Sequence, residues 1–187
     1  MESQFQNIIL MKVGPYCNYS LDEIIEIKQK EEKKIGKYFW GYSGVFCHPK
    51  TIQSLMSYSN TQPIYVLFVE TKSSFIPDKV DRFEEYSSDK DVWSKLPEEV
   101  LLVGNKKKSH FAITAKNLKK IDMSLDLSQY CTLMGMFPNT SQSLDDYFRY
   151  RVDKACAVYI PNGGKEKKEI KISYISELVT PSCVYIR

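Results

Sequence analysis

Apolar residues recur along this chain with two different periods, and each change of period marks an element. Residues 8–13 form a short apolar stretch closed by Gly14-Pro15, which reads as a first strand. Ser20 then opens a helix. Ser20-x-x-Glu23 is a capping box, in which the Glu side chain returns to the cap amide. Leu21, Ile24, Ile25 and Ile35 supply the apolar face, and Gly36 stands where a left-handed C-cap belongs. Residues 37–46 are aromatic and β-prone, interrupted by Gly41 and Gly44. Pro49 occupies a tolerated first-turn position of a second helix, with Ile52, Leu55 and Met56 on one side. Residues 64–69 run Ile-Tyr-Val-Leu-Phe-Val, a continuous apolar stretch suited to a central strand buried on both faces.

Residues 73–97 are polar and charged, and predict a long loop with a short helical piece, the best candidate for a mobile segment. Residues 100–103 and 110–114 flank a lysine-rich turn at 104–109 and predict a hairpin. Ser143 caps a third predicted helix, along which Leu144, Tyr147, Phe148, Arg151, Val152 and Ala155 recur at helical spacing. Residues 157–160 and 169–175 predict a second hairpin around Pro161-Asn162-Gly163-Gly164. The expected fold is α+β in a single globular domain spanning 1–187. Its sheet is mixed or antiparallel, or partly barrel-like, with about six or seven strands and about three helices.

Composition narrows the class. The 187 residues are 43% hydrophobic and 26% charged, which excludes a disordered tail and a fibrous repeat. A chain of this length buries about 70% of its unfolded surface, enough for a core without disulfides. The longest apolar stretch falls far short of the roughly 20 residues that span a bilayer, so no membrane segment is expected. No secretory leader is legible at residues 1–14. The five cysteines contain no CxxC, and reduced thiols in a cytoplasmic protein are the expectation.

Net charge is +3, but its distribution is uneven. Residues 78–99 carry eight acids against four bases, whereas residues 100–120 carry six lysines and no acid. An acidic surface at 78–99 and a basic one at 104–120 are therefore candidate protein-docking faces.

Candidate chemistry concentrates in the aromatic segment. Aromatic faces beside glycines admit a planar group, and a stacked base is worth roughly 1–3 kcal/mol. Tyr38, Trp40 and Tyr42 would stack on a nucleotide or a nucleic-acid base. His48 would add a hydrogen-bonding edge, and Lys106, Lys107 and His110 would meet its phosphate. The leading expectation is thus a non-catalytic binding protein for a planar, anionic ligand. A protein-interaction module of the inhibitor or adaptor type is the alternative.

Catalytic patterns are weaker. Only His48 and His110 are present, and neither stands in a His-x-Ser/Thr pair. Asp153 with Glu169-Ile170-Lys171 resembles the PD-(D/E)xK nuclease pattern over some twenty residues, with Val152 where that pattern has proline. The resemblance implies carboxylates Asp153 and Glu169 on Mg²⁺, with Lys171 positioning the attacking water. No phosphate loop, dinucleotide fingerprint or nucleophile elbow is present, so no cofactor is implied.

Overall fold

A computed structural model describes residues 5–44, 47–57, 63–74, 76, 79–108, 110–134, 137–148, 153–160 and 166–187. The elements, in chain order, are β1 (Asn7–Val13), α1 (Leu21–Ile35), β2 (Tyr38–Ser43), α2 (Pro49–Ser57) and β3 (Tyr65–Glu70). There follow β4 (Asp81–Arg82), β5 (Glu85–Ser87), β6 (Ser94–Lys95), β7 (Val103–Gly104) and β8 (His110–Asp126). A 3-10 turn at Leu127–Gln129 leads to β9 (Tyr130–Met134), β10 (Phe137–Ser143), α3 (Leu144–Phe148), β11 (Lys154–Tyr159) and β12 (Glu169–Ile186). The fold is α+β with a mixed sheet, as expected, but with more strands than the sequence pattern predicts. Among the described residues no helix is long and apolar enough to cross a membrane.

The chain groups into two compact units, each drawn from three stretches. One takes Met1–Val13, Phe46–Glu70 and Lys119–Glu177; the other takes Gly14–Val45, Thr71–Leu118 and Leu178–Arg187. Strands β8 and β12 pass from one unit into the other, and each gives part of its length to both.

In the first unit the strand order is β10-β9-β11-β1-β3-β12. β1 and β3 run parallel, in register from Ile8↔Tyr65 to Val13↔Glu70. Strands at the centre of such a sheet are covered on both faces, which is why β1 is apolar at nearly every position rather than at alternate ones. Ile8, Ile9 and Leu10 are wholly buried there. Leu10, Leu67, Phe148, Ala157 and Ile172 share one core, and α2 packs on β11 and β9.

In the second unit α1 packs on β2, and β2 pairs antiparallel with β8 from Tyr38↔Ala115 to Ser43↔His110. The predicted capping box is present: Ser20 Oγ accepts the Glu23 N–H, and the Glu23 carboxylate accepts the Ser20 N–H at 2.7 Å. Gly36 closes the helix with φ +76°, donating its N–H to the Glu32 carbonyl at 2.8 Å. A residue with a Cβ is disfavoured at that backbone angle. Phe39, Phe83, Val100, Leu102, Ala112 and Val184 form the core of this unit.

Four local expectations are corrected. Residues 73–97 hold three short strands and, among the described residues, no helix; Phe75, Pro77 and Asp78 lie outside them. The reason is Phe83, buried against Val100 and Leu102, whose backbone N–H donates to the Leu102 carbonyl at 2.9 Å. Residues 100–114 are not a hairpin, because β7 pairs with β4 while β8 pairs with β2 and β12. Nor do β11 and β12 form one, since β1 and β3 lie between them; the proposed turn at 161–164 is outside the described residues. Finally, α3 is described over Leu144–Phe148, and Ala155 belongs not to it but to β11, where Ala155, Cys156 and Ala157 are buried between β1 and β9. Arg151 and Val152 are outside the described residues.

Candidate functional site

Alternation along β2 sorts its aromatics. Tyr38, Trp40 and Tyr42 project from one face of the strand, Phe39 and Gly41 from the other. Tyr38 is wholly buried, with its ring edge-on to Trp40 at 6.5 Å. Tyr42 is 8% exposed; its hydroxyl hydrogen-bonds the Cys183 sulfur at 3.3 Å, and its ring packs on Phe111 at 5.8 Å. Trp40 is half-buried. On the opposite face, a Cβ built at Gly41 would lie 3.1 Å from Leu102 Cδ2. The group that approaches this glycine is thus a leucine of the same chain. Val45 and Phe46 are outside the described residues.

His110 pairs with Ser43, one position along from the Tyr42↔Phe111 pair, so it projects from the opposite face of β8 to Phe111. Its Nε2–H donates to the Asn105 carbonyl at 2.7 Å, and its ring lies 4.7 Å from Phe83. Burial holds the imidazole below its ordinary pKa, and the Lys108 ammonium acts in the same direction. Lys106 and Lys107 are exposed in the turn that Asn105 organises, where its Oδ1 accepts the Lys107 N–H at 3.0 Å. The turn therefore gathers the basic residues and His110, while Tyr38, Trp40 and Tyr42 occupy the other face of the β2–β8 pair. His48 belongs to the first unit, where its carbonyl accepts the N–H groups of Thr51 and Ile52 at the start of α2.

The nuclease-like residues are also dispersed. Asp153 precedes β11 and Glu169 opens β12, with β1 and β3 lying between those two strands in the order β11-β1-β3-β12. Each is paired locally: Asp153 with Lys154 at 2.5 Å, Glu169 with Lys167 at 2.6 Å, and Lys171 with Asp122 at 3.3 Å. Among the described residues no group of three or more His, Cys, Asp or Glu side chains converges on a point where it could hold a metal ion.

No family model, curated protein or solved structure matches this chain.

The acidic stretch is more organised than its composition suggests. After β5, the Ser87 hydroxyl accepts the N–H of Lys90 at 2.9 Å, and Asp89 Oδ1 accepts those of Asp91 at 2.8 Å and Val92 at 3.1 Å. The Val92 and Asp91 N–H groups, with the Ser87 hydroxyl, hold the Asp89 carboxyl below its usual range. Trp93 donates its indole N–H to the Lys90 carbonyl at 2.9 Å and carries the Arg187 guanidinium 4.0 Å over its ring. Arg187 in turn binds Glu85 at 2.7 Å. On this framework Val92 is 71% exposed; Val80 of the same stretch is 49% exposed, and Ile76 just before it is 61% exposed. Sequence reading marked the charge here but missed the apolar side chains. Val92-Trp93 between Asp91 and Lys95 is the signal that was available.

Proposed function

We propose that the chain is a non-catalytic binding protein that docks a basic protein partner on the acidic segment 79–99. The observation that carries this reading is Val92, an apolar side chain 71% exposed on a turn fixed by Ser87 and Asp89, with Asp91 beside it. A side chain displayed on an already ordered turn loses little further conformational freedom on binding, which favours affinity. Asp89, Asp91, Glu84, Glu98 and Glu99 are exposed around the same stretch and match a partner carrying lysines and arginines.

The test compares wild type with Asp91→Lys/Val92→Lys as baits in cells that express the protein. Support is an identified basic partner that binds purified wild type, weakens with added salt, and loses about tenfold or more in affinity with the variant. Equal binding by a correctly folded variant overturns the proposal.

A planar anionic ligand stacked on Trp40 is the second reading. It keeps one observation in its favour, the partial exposure of Trp40 between two buried tyrosines. Burial of Tyr38, and the opposite facing of His110, remove most of the surroundings that reading requires.

A further inference from the structure

All five cysteines are buried thiols. Two of them meet. Cys47 Sγ lies 3.6 Å from Cys156 Sγ, although 109 residues separate them in sequence. Cys156 sits within β11, opposite Ile9 of β1, and Cys47 opens the Cys-His-Pro entry to α2, which packs on β11. Both belong to the first unit. Cys17 and Cys183 are engaged elsewhere, with the hydroxyls of Tyr16 and Tyr42.

A sulfur–sulfur bond is about 2.05 Å long, so the contact has about 1.5 Å to close. Tyr147, half-buried on α3, lies beside the same two sulfurs. Burial pushes its phenol up to about 12, and both thiols add to that rise.

We propose that Cys47 and Cys156 are a modification site, an oxidisable dithiol that hydrogen peroxide converts to a disulfide. One thiolate attacks a peroxide oxygen; the O–O bond breaks, and hydroxide leaves and takes up the thiol proton as water. This leaves a sulfenic acid. The second thiolate attacks that sulfur, the S–O bond breaks, and hydroxide again leaves as water with the second proton. Two thiols and one hydrogen peroxide give one disulfide and two waters, with two electrons passing from sulfur to peroxide. Sequence spacing alone hides the pair, because the signal usually sought, CxxC, is local.

The experiment treats the folded full-length chain with an equimolar amount of hydrogen peroxide, then blocks remaining thiols with a maleimide under denaturing conditions. The expected result is a fall from five reactive thiols to three and a loss of two hydrogens. A Cys47–Cys156 cross-linked peptide should appear in the digest, and dithiothreitol should restore all five thiols. Cys183→Ser should keep the cross-link, and Cys156→Ser should abolish it. The wild-type digest decides the pairing even if a serine variant does not fold. Five unchanged thiols, oxygen adducts at these cysteines without a bridge, or a bridge between any other pair overturns the proposal.

Discussion

Glu31 of α1 accepts the backbone N–H of Phe39 at 2.6 Å, and its other oxygen holds Lys28 Nζ at 2.9 Å. Both charged side chains are buried, and Lys28 also donates to the Leu101 carbonyl at 2.9 Å. Burial pushes Lys28 down and Glu31 up, each opposed by the charge of the other. The pair survives burial because each member has backbone partners besides its counter-ion.

Removing one partner leaves the other charge uncompensated. Glu31→Ala is therefore expected to cost about 3–5 kcal/mol in urea unfolding. Glu31→Gln keeps an acceptor for the Phe39 N–H and should cost visibly less. Equal losses would show that the charge, not the acceptor, dominates.

The aromatics of β2 separate by burial. Tyr38→Ala empties a fully enclosed site and is expected to cost about 3–5 kcal/mol. Trp40→Ala, at a half-buried position, should cost distinctly less by the same denaturation measurement. In a Trp93→Phe background, quenching of the remaining Trp40 fluorescence by nucleotides checks the stacking reading directly; unchanged emission up to millimolar nucleotide removes it.

His110 makes stability depend on pH. Burial lowers its pKa in the folded chain below the ordinary 6.5. The folded state thus favours the neutral ring, and this contribution is fully present above 6.5. It is lost as pH falls from 6.5 through the lower folded value. His110→Gln, which can still donate to the Asn105 carbonyl, should flatten the difference between urea midpoints measured at neutral and mildly acidic pH. An unchanged difference would assign the dependence to another group.

Asp126 caps the 3-10 turn, accepting the Ser128 hydroxyl at 2.7 Å and the Lys168 N–H at 2.9 Å. Burial raises its pKa, but the Lys168 N–H and the Ser128 donors outweigh that, leaving it below the usual 3.8. Its stabilisation is present above 3.8 and lost as pH falls through the lower folded value. Asp126→Ala is expected to cost about 1 kcal/mol at neutral pH and much less under strongly acidic conditions, as measured by thermal unfolding.

Local signals were legible and long-range ones were not. Ser20, Glu23 and Gly36 fix both ends of α1 through contacts within four residues, so their pattern carries the answer. Residues 64–69 announce a central strand because being covered on both faces leaves no polar alternation. By contrast, β7 finds β4 rather than β8 through Phe83 and Leu102, nineteen positions apart, and no turn signal records that contact. The arrangement of the candidate-site residues was hidden for a similar reason. Tyr42 and His110 lie on nearby positions of paired strands, and only the register shows that they face opposite ways. Val92-Trp93 among charges was legible, but that Val92 is the exposed one of the two depends on the turn that Ser87 and Asp89 fix.

The shared strands set the order in which this chain can mature on the ribosome. Residues up to Glu177 of β12 pair with β3, and the continuation to Ile186 pairs with β5, so one strand completes both units. Until β12 has left the exit tunnel, neither unit has its full set of neighbours. The apolar strands β1 and β3, made much earlier, must wait for it in the nascent chain. Assembly of this kind is slow and leaves sticky segments uncovered during synthesis.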